Sequence, residues 1–117
     1  NPLYIVQNNT VKTIKADMYS IGGRKPRRAS ADDVRKFTNH TIPIRNGMSF
    51  YMFSDGYVDQ FGEVTRKKFN TERFRQLLLD IQAFDMNEQK NIVHRTINEW
   101  KGSYRQIDDM LVVGMKI

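Results

Sequence analysis

The spacing of hydrophobic and polar residues predicts strands in the first part of the chain. Residues 3–6 and 11–16 are apolar or β-branched runs, and the polar residues 7–10 between them include asparagines, which tolerate left-handed turn geometry. This pattern predicts a β-hairpin. Apolar and polar residues alternate again over residues 37–44, which predicts a half-buried strand, and Pro43 would confine that strand to a sheet edge or a strand end.

Two later runs have the character of buried strands. Residues 48–53 follow an Asn-Gly turn signal and are apolar on both faces except for Ser49, which predicts a central strand covered on two sides. Residues 110–117 are also apolar on both faces and predict a last strand that returns into the sheet. Residues 20–36 contain glycine, proline and basic residues, and we expect a surface loop there.

Two consecutive helices are predicted before the last strand. Asn70 or Thr71 can cap the first helix, and Asp85 with Glu88 resembles a capping box at the start of the second. Gly102 stands where a helix C-terminus favours glycine. The apolar positions at one-face helical spacing are Phe74, Leu77, Leu78 and Ile81 in the first helix, and Ile92, Val93, Ile97 and Trp100 in the second.

The order of several strands, two helices and one returning strand predicts an α+β layered domain. A chain of 117 residues suits one small domain or a piece of a larger one. Its 39% hydrophobic and 27% charged residues are ordinary for a soluble globular protein and argue against disorder. The chain has no cysteine, which excludes disulfides, thiolate metal sites and a cysteine nucleophile, and fits a reducing cytoplasm.

The formal net charge of +6 is concentrated in two basic clusters, at residues 24–28 and 66–68. Such clusters suit a patch for nucleic acid or for a phosphorylated partner, and they also suit two solvated loops. They are not interleaved with the aromatic residues on which single-strand binders stack bases. We therefore expect no nucleic-acid partner.

Two acidic segments are the candidates for chemistry. Ser54-Asp55-Gly56 ends one buried strand, and Asp108-Asp109 precedes the last strand. If the two strands are antiparallel neighbours, the end of one lies beside the start of the other, and the aspartates converge. Clustered carboxylates repel one another unless a cation neutralises them, and Mg²⁺ and Mn²⁺ prefer oxygen ligands.

The same residues also allow a plain structural interpretation, since Ser-Asp-Gly is common in turns and an aspartate pair often precedes a strand. In the metal interpretation, Gly56 permits a close approach to Asp55, and two bound ions would activate a water for the hydrolysis of a phosphate ester. Spacing alone leaves both interpretations open.

Several segments together resemble the SpoIIE/RsbU branch of the type 2C metal-dependent protein phosphatases. Residues 50–60 resemble the family's apolar strand followed by Ser/Thr-Asp-Gly and a short acidic turn, and residues 106–113 resemble its closing Gln-x-Asp-Asp strand. Residues 68–74 resemble the Phe-Gly-x-x-Arg-Leu helix start. Residues 1–4 resemble the segment after the Ala-Gly-His-Asn turn, and residues 20–22 the later Pro-Leu-Gly element.

The resemblance covers residues 1–117 and implies the C-terminal half of an α-β-β-α sandwich with a mostly antiparallel sheet. It implies a binuclear Mn²⁺ or Mg²⁺ centre that activates water to hydrolyse phosphoserine or phosphothreonine. Asp55 and Asp108 match metal-binding aspartates of the family and are the residues to which the resemblance assigns the catalytic role. Asp109 stands where relatives vary between Asp and Asn and is expected to support the metal, while Ser54 and Gly56 complete the motif.

The family's further metal aspartate and its metal-binding Asp-Gly belong to the first half of the domain, and nothing in this sequence corresponds to them. We therefore expect the chain alone to bind metal weakly and to be inactive.

By resemblance, the intact domain acts on a phosphorylated anti-sigma-factor antagonist and is controlled by an upstream sensory or receiver domain. A sheet edge that lacks its neighbours would also allow a homodimer. A cytoplasmic location is expected, with membrane attachment of the full-length protein left open. The alternative is a degenerate phosphatase fold that serves as a non-catalytic interaction module.

Overall fold

The computed structural model describes residues 1–17 and 37–117, and in these residues it contains four strands and three helices. The loop predicted at residues 20–36 lies outside this part of the chain. The elements are β1 (Leu3–Gln7), β2 (Thr10–Ile14), β3 (Ser49–Phe53), α1 (Asp55–Asp59), α2 (Thr71–Ile81), α3 (Met86–Lys101) and β4 (Val112–Lys116).

The four strands form one antiparallel sheet in the order β2-β1-β3-β4. The predicted hairpin is confirmed: β1 pairs with β2 through a turn in which Asn8 and Asn9 have φ of 49° and 58°. Both values are left-handed, as a tight hairpin turn of this kind requires. The Asn46-Gly47 turn and the strand after it are also confirmed, and Gly47 has φ of +83°. The last strand does return into the sheet, beside β3.

One face of the sheet packs against the helices. Its residues alternate along the strands, and they include Tyr4, Tyr51 and Phe53, each no more than 5% exposed. Phe74 of α2 is fully buried, with its ring centroid 4.7 Å from that of Phe53 and 4.9 Å from that of Tyr57. Edge-to-face and tilted aromatic pairs of this kind add to the energy of area burial.

Both predicted helices are confirmed together with their caps. The Asn70 side chain accepts a hydrogen bond from Arg73 N at 3.0 Å, and the Asp85 side chain accepts one from Glu88 N at 2.9 Å. Each cap satisfies one of the N–H groups that a helix leaves unpaired at its start. Gly102 ends α3 with φ of 53°, in the region that favours glycine.

The prediction that β3 is covered on two sides is wrong for the part of the chain that the structure describes. Met52 of β3 is 58% exposed, and Met115 of β4, on the same face, is 52% exposed. β3 is nevertheless central in the sheet, with β1 and β4 as its neighbours. Among the described residues, the helices cover one face of the sheet, so Met52 and Met115 on the other face stay in contact with water.

The strand predicted at residues 37–44 is not formed. The backbone of β1 is already paired on both sides, and Pro43 has no N–H to offer to a sheet. Thr38 instead donates its backbone N–H and its hydroxyl to the carboxylate of Asp17, at 2.6 and 3.0 Å, which lowers the pKa of Asp17. Ile42 and Pro43 line a small cavity of about 210 Å³ next to Ile5 of β1. The alternation of apolar and polar residues over residues 37–44 therefore reflects partial contact with the sheet beside Ile5 and not strand pairing.

A buried polar network joins the sheet to α3 and yields a stability prediction. Tyr51 Oη donates to Gln89 Oε1 at 2.5 Å, and Gln89 Nε2 donates to Phe84 O at 2.9 Å. Tyr51→Phe would leave Gln89 Oε1 buried without its donor, and we expect the free energy of unfolding to fall by about 1–3 kcal/mol. Urea unfolding measures this change. Tyr104→Phe is the control, because the structure gives the Tyr104 hydroxyl no hydrogen bond to any described residue, and an equal loss in both variants would contradict the prediction.

Candidate functional site

The sheet brings the two acidic segments to the same rim. β3 and β4 are antiparallel neighbours, with Phe53 opposite Val112 at one end of the ladder. Asp55 follows β3 at this end, and Asp108 and Asp109 precede β4 at the same end. The prediction that the two strands are antiparallel neighbours is therefore confirmed.

Ser54 ties the two segments together directly. Its backbone N donates to Leu111 O at 2.9 Å. Its hydroxyl donates to Asp109 O at 2.7 Å and accepts from Leu111 N at 2.9 Å. Three hydrogen bonds from one residue thus fix the backbone around Asp109 beside the start of α1.

Gly56 lets this backbone approach closely. A Cβ atom added to Gly56 would lie 2.9 Å from the carbonyl carbon of Asp109 and 3.2 Å from that of Asp108. Both distances are shorter than ordinary contacts, so only glycine fits without displacement of the acidic segment. In the metal interpretation of the sequence, Gly56 was expected to permit the close approach of an ion to Asp55. In the structure Gly56 lies in the helix α1, where it leaves room for the backbone of Asp108 and Asp109.

The segment after Asp55 was predicted to be a turn and is the short helix α1. Its Gly56, Tyr57 and Val58 are buried. Tyr57 Oη donates to Val93 O of α3 at 2.8 Å, and burial raises the pKa of Tyr57 well above its ordinary value. This anchor holds α1 against the core and leaves Asp55 exposed at its first position.

Asp108 and Asp109 are also exposed, so all three aspartates are accessible to a ligand. One oxygen of Asp108, Oδ1, accepts from Asp109 N at 2.7 Å, and Asp108 O accepts from Gln106 Nε2 at 2.9 Å. These local bonds restrict the conformation of the acidic segment. They leave the second oxygen of Asp108 with no hydrogen bond to any residue that the structure describes.

Sequence reasoning missed Gln60, which is fully buried at the end of α1. Its Nε2 donates to Arg105 O at 3.1 Å and to Phe61 O at 3.0 Å. Gln60 ends the stretch that resembles the family motif, but its burial gives no signal in the sequence, because its role depends on a backbone far along the chain. Its burial and its bond to the segment before Asp108 identify it in the structure.

Carboxylate oxygens suit Mn²⁺ and Mg²⁺, so the chemistry of the donors fits a hard divalent cation. Within residues 1–17 and 37–117, no three or more His, Cys, Asp or Glu side chains form a group that could hold a metal ion. Asp55, Asp108 and Asp109 therefore do not complete a metal centre among the described residues. Their roles as metal ligands stay predictions.

Other charged residues have plain surroundings. Asp59 pairs with Lys68 at 3.1 Å, and both side chains are about half exposed, so this pair contributes little energy. His40 and His94 are exposed. The basic cluster at residues 24–28 lies outside the described residues.

A cavity of about 870 Å³ between α3 and residues 106–114 is not lined by any of the three aspartates.

The structure has no helix, among the residues it describes, with the length and apolar character that a membrane span needs. The model of the family described as "Stage II sporulation protein E (SpoIIE)" matches residues 1–117. No curated protein matches significantly.

Among the solved structures similar to this chain are two domains that each align with nearly its whole length. The first is the SiaA-PP2C domain of Pseudomonas aeruginosa, with a TM-score of 0.81 and 26% identity, over 99% of this chain and 42% of that one. The second is the phosphatase domain of the cell fate determinant SpoIIE from Bacillus subtilis (Mn presoaked), with a TM-score of 0.57 and 17% identity, over 100% of this chain and 46% of that one. The second likeness shows the fold alone. The chain spans less than half the length of either structure.

Proposed function

Because the chain belongs to the SpoIIE family, we propose that it contributes one part of the active site of a metal-dependent protein serine/threonine phosphatase. The observation that carries the proposal is the contact between the two acidic segments, in which Ser54 and Gly56 hold the backbone of Asp108 and Asp109 against the start of α1. The SiaA-PP2C domain, which is 26% identical to this chain, is named as a PP2C domain, and this supports the same activity for the protein that carries this chain.

In this proposal Asp55 and Asp108 supply carboxylate oxygens to the metal centre, and Asp109 supports the centre from the adjacent position. A binuclear Mn²⁺ or Mg²⁺ centre, when bound, would supply a water of lowered pKa for attack on phosphorus. The task of this chain is to hold two carboxylates at one rim of the sheet. The solved structure from Bacillus subtilis was presoaked with manganese, which favours Mn²⁺ as the first ion to test.

The remaining metal ligands would come from outside residues 1–117, since this chain spans 42% and 46% of the two solved structures. No group of three or more potential ligands exists among the described residues. The chain alone is therefore expected to bind metal weakly and to release no phosphate.

The family resemblance extends the proposal to the biological setting. The substrate would be a phosphorylated protein of the anti-sigma-factor antagonist type, and a sensory or receiver domain of the same protein would control the activity. The enzyme would act in the cytoplasm, with a homodimer as a possible assembly.

Removal of metal tests the reaction type. We expect chelation by EDTA to lower phosphate release from a phosphoserine protein by at least about 100-fold in the full-length protein, because metal ions contribute several kcal/mol to the transition state. Mn²⁺ in excess over the chelator should restore the rate. Phosphate release at full rate in EDTA would contradict the proposal.

The same assay separates the alternative. A non-catalytic interaction module would release no phosphate with any divalent cation and would still bind its phosphorylated partner. Binding to DNA or RNA that weakens steeply with salt would favour the nucleic-acid interpretation of the basic clusters instead.

A further inference from the structure

Ser54 occupies the cap position of α1 without capping it. Its φ of −81° and ψ of 155° suit a cap residue, yet its side chain makes no cap hydrogen bond within the described part of the chain. A serine cap ordinarily contributes about 0.5–2 kcal/mol to a helix. Here the hydroxyl is used between Asp109 O and Leu111 N, at 2.7 and 2.9 Å. The local capping hydrogen bond is thus replaced by a contact with a distant segment. Such departures from local preference are typical of functional sites.

Gln60 makes the corresponding contact from the other end of α1. It stands at the C-terminal cap position, is 0% exposed, and donates from Nε2 to Arg105 O at 3.1 Å. Its backbone oxygen accepts from Trp100 Nε1 at 3.1 Å, which fixes the residue to α3. The two ends of α1 therefore hold the chain on both sides of Asp108, at Arg105 and at Asp109 to Leu111.

We propose that Ser54 and Gln60 are positioning residues, which hold residues 105–111 against α1 so that Asp108 is presented beside Asp55. This inference rests on the proposed function, since it assigns a purpose to the contact between the two segments that carry the proposed metal ligands. Neither residue needs to touch the metal or the phosphoryl group. Their effect passes through the backbone of the acidic segment.

The chemistry of the hydroxyl makes the inference specific. It donates to one backbone group and accepts from another, and a threonine hydroxyl branches from the same Cβ and can do both. Ser54→Ala would leave Leu111 N and Asp109 O without these partners and loosen the segment, which would then be held by Ser54 N and Gln60. Groups that orient metal ligands typically change metal affinity by about 10–100-fold when they are removed.

The experiment measures Mn²⁺ binding to the full-length protein from the loss of the free-ion EPR signal, together with the Mn²⁺ dependence of phosphate release. We expect Ser54→Ala to weaken Mn²⁺ binding by about 10–100-fold and to raise the Mn²⁺ concentration for half-maximal activity in proportion. Ser54→Thr should restore binding to within about threefold of wild type, since it restores both hydrogen bonds. Gln60→Met keeps the size of the side chain, removes its donor, and should weaken binding in the same direction.

Thr10→Ala is the matched control. The Thr10 hydroxyl also donates to a backbone oxygen, Gln7 O at 2.8 Å, and it lies on β2 at the far edge of the sheet from β4. Its removal should leave Mn²⁺ binding unchanged. Equal weakening in Ser54→Ala, Ser54→Thr and Thr10→Ala would overturn the inference, because a general loss of stability would then explain all three. If Ser54→Ala does not fold, Gln60→Met and Ser54→Thr decide the matter by the same binding measurement.

Asp108→Asn separates this inference from the function on which it rests. If Asp108→Asn abolishes Mn²⁺ binding and Ser54→Ala binds as wild type does, the positioning role is wrong and the proposed function stands. If Asp108→Asn leaves both binding and phosphate release unchanged, the proposed function is wrong, and the inference with it.

Discussion

Replacement of Asp55 or Asp108 by asparagine is expected to lower phosphate release by the full-length protein by about 100- to 1000-fold at fixed Mn²⁺. Asparagine keeps the shape of the side chain and removes the negative charge that would hold a divalent cation. Metal ions contribute several kcal/mol to catalysis of this kind, and each 1.4 kcal/mol corresponds to a factor of ten in rate. Asp109→Asn is expected to have a smaller effect, in line with a supporting role. The rate is measured with a phosphoserine protein substrate, and urea unfolding checks that each variant is folded.

Asp59→Asn serves as the control for these variants. Asp59 ends the same short helix, and its carboxylate pairs with Lys68 at 3.1 Å on the surface. Removal of such an exposed pair costs at most about 1 kcal/mol of stability and should leave the rate within about twofold of wild type. An unchanged rate in both Asp55→Asn and Asp108→Asn would refute the assignment of these residues to the metal centre.

Gly56→Ala is expected to reduce both stability and activity. The added Cβ would lie 2.9 Å from the carbonyl carbon of Asp109 and 3.2 Å from that of Asp108. Since the obstacle is backbone and not the end of a flexible side chain, either α1 or the acidic segment has to move. Overpacking typically costs about 1–3 kcal/mol in the free energy of unfolding. Displacement of the acidic segment should also lower phosphate release by about 100-fold, as misplacement by roughly 1 Å does in other active sites.

Gly114→Ala is the matched control, because it adds the same methyl group in the same sheet. Its Cβ would meet the Tyr51 ring at 3.1 Å and the sulfur of Met86 at 3.5 Å, which are side-chain atoms that can shift. We expect a loss of stability and no comparable loss of activity under conditions where the protein is folded. Activity losses of equal size in Gly56→Ala and Gly114→Ala would show that packing alone, and not the acidic segment, is responsible.

The local signals in the sequence predicted most of the fold because each has a local cause. Asn8 and Asn9 adopt the left-handed geometry that the hairpin needs, and Asn70 and Asp85 make the capping hydrogen bonds from which the two helices were predicted. The helix α1 was missed, since five residues are too few to display a 3.6-residue period.

Two errors have a tertiary cause. Alternation at residues 37–44 was interpreted as a strand, although the edges of β1 were already taken by β2 and β3. The second apolar face of β3 was expected to be covered, and Met52 is instead exposed in the described part of the chain. Periodicity reports which positions avoid water and does not identify the element that would cover them.

The candidate site was predictable only in outline. Antiparallel pairing of two strands places the segment that holds Asp55 beside the segment that holds Asp108, and this could be argued from residue order. The hydrogen bonds of Ser54 and Gln60 to the acidic segment could not, because they join side chains to backbone groups about fifty positions away. The close approach at Gly56 could not be predicted either, because the sequence does not distinguish a glycine in a turn from a glycine that packs against a neighbouring backbone.

The open apolar face of the sheet has a practical consequence for work with this chain in isolation. Met52, Val113 and Met115 lie together on it with roughly half of each side chain in water. Full burial of a side chain of this size releases about 1.5–3 kcal/mol. Association of two molecules through these apolar faces is therefore favourable. Because hydrophobic association weakens on cooling, cold and dilute samples should stay monomeric. Higher temperature or concentration should promote aggregation before any unfolding occurs.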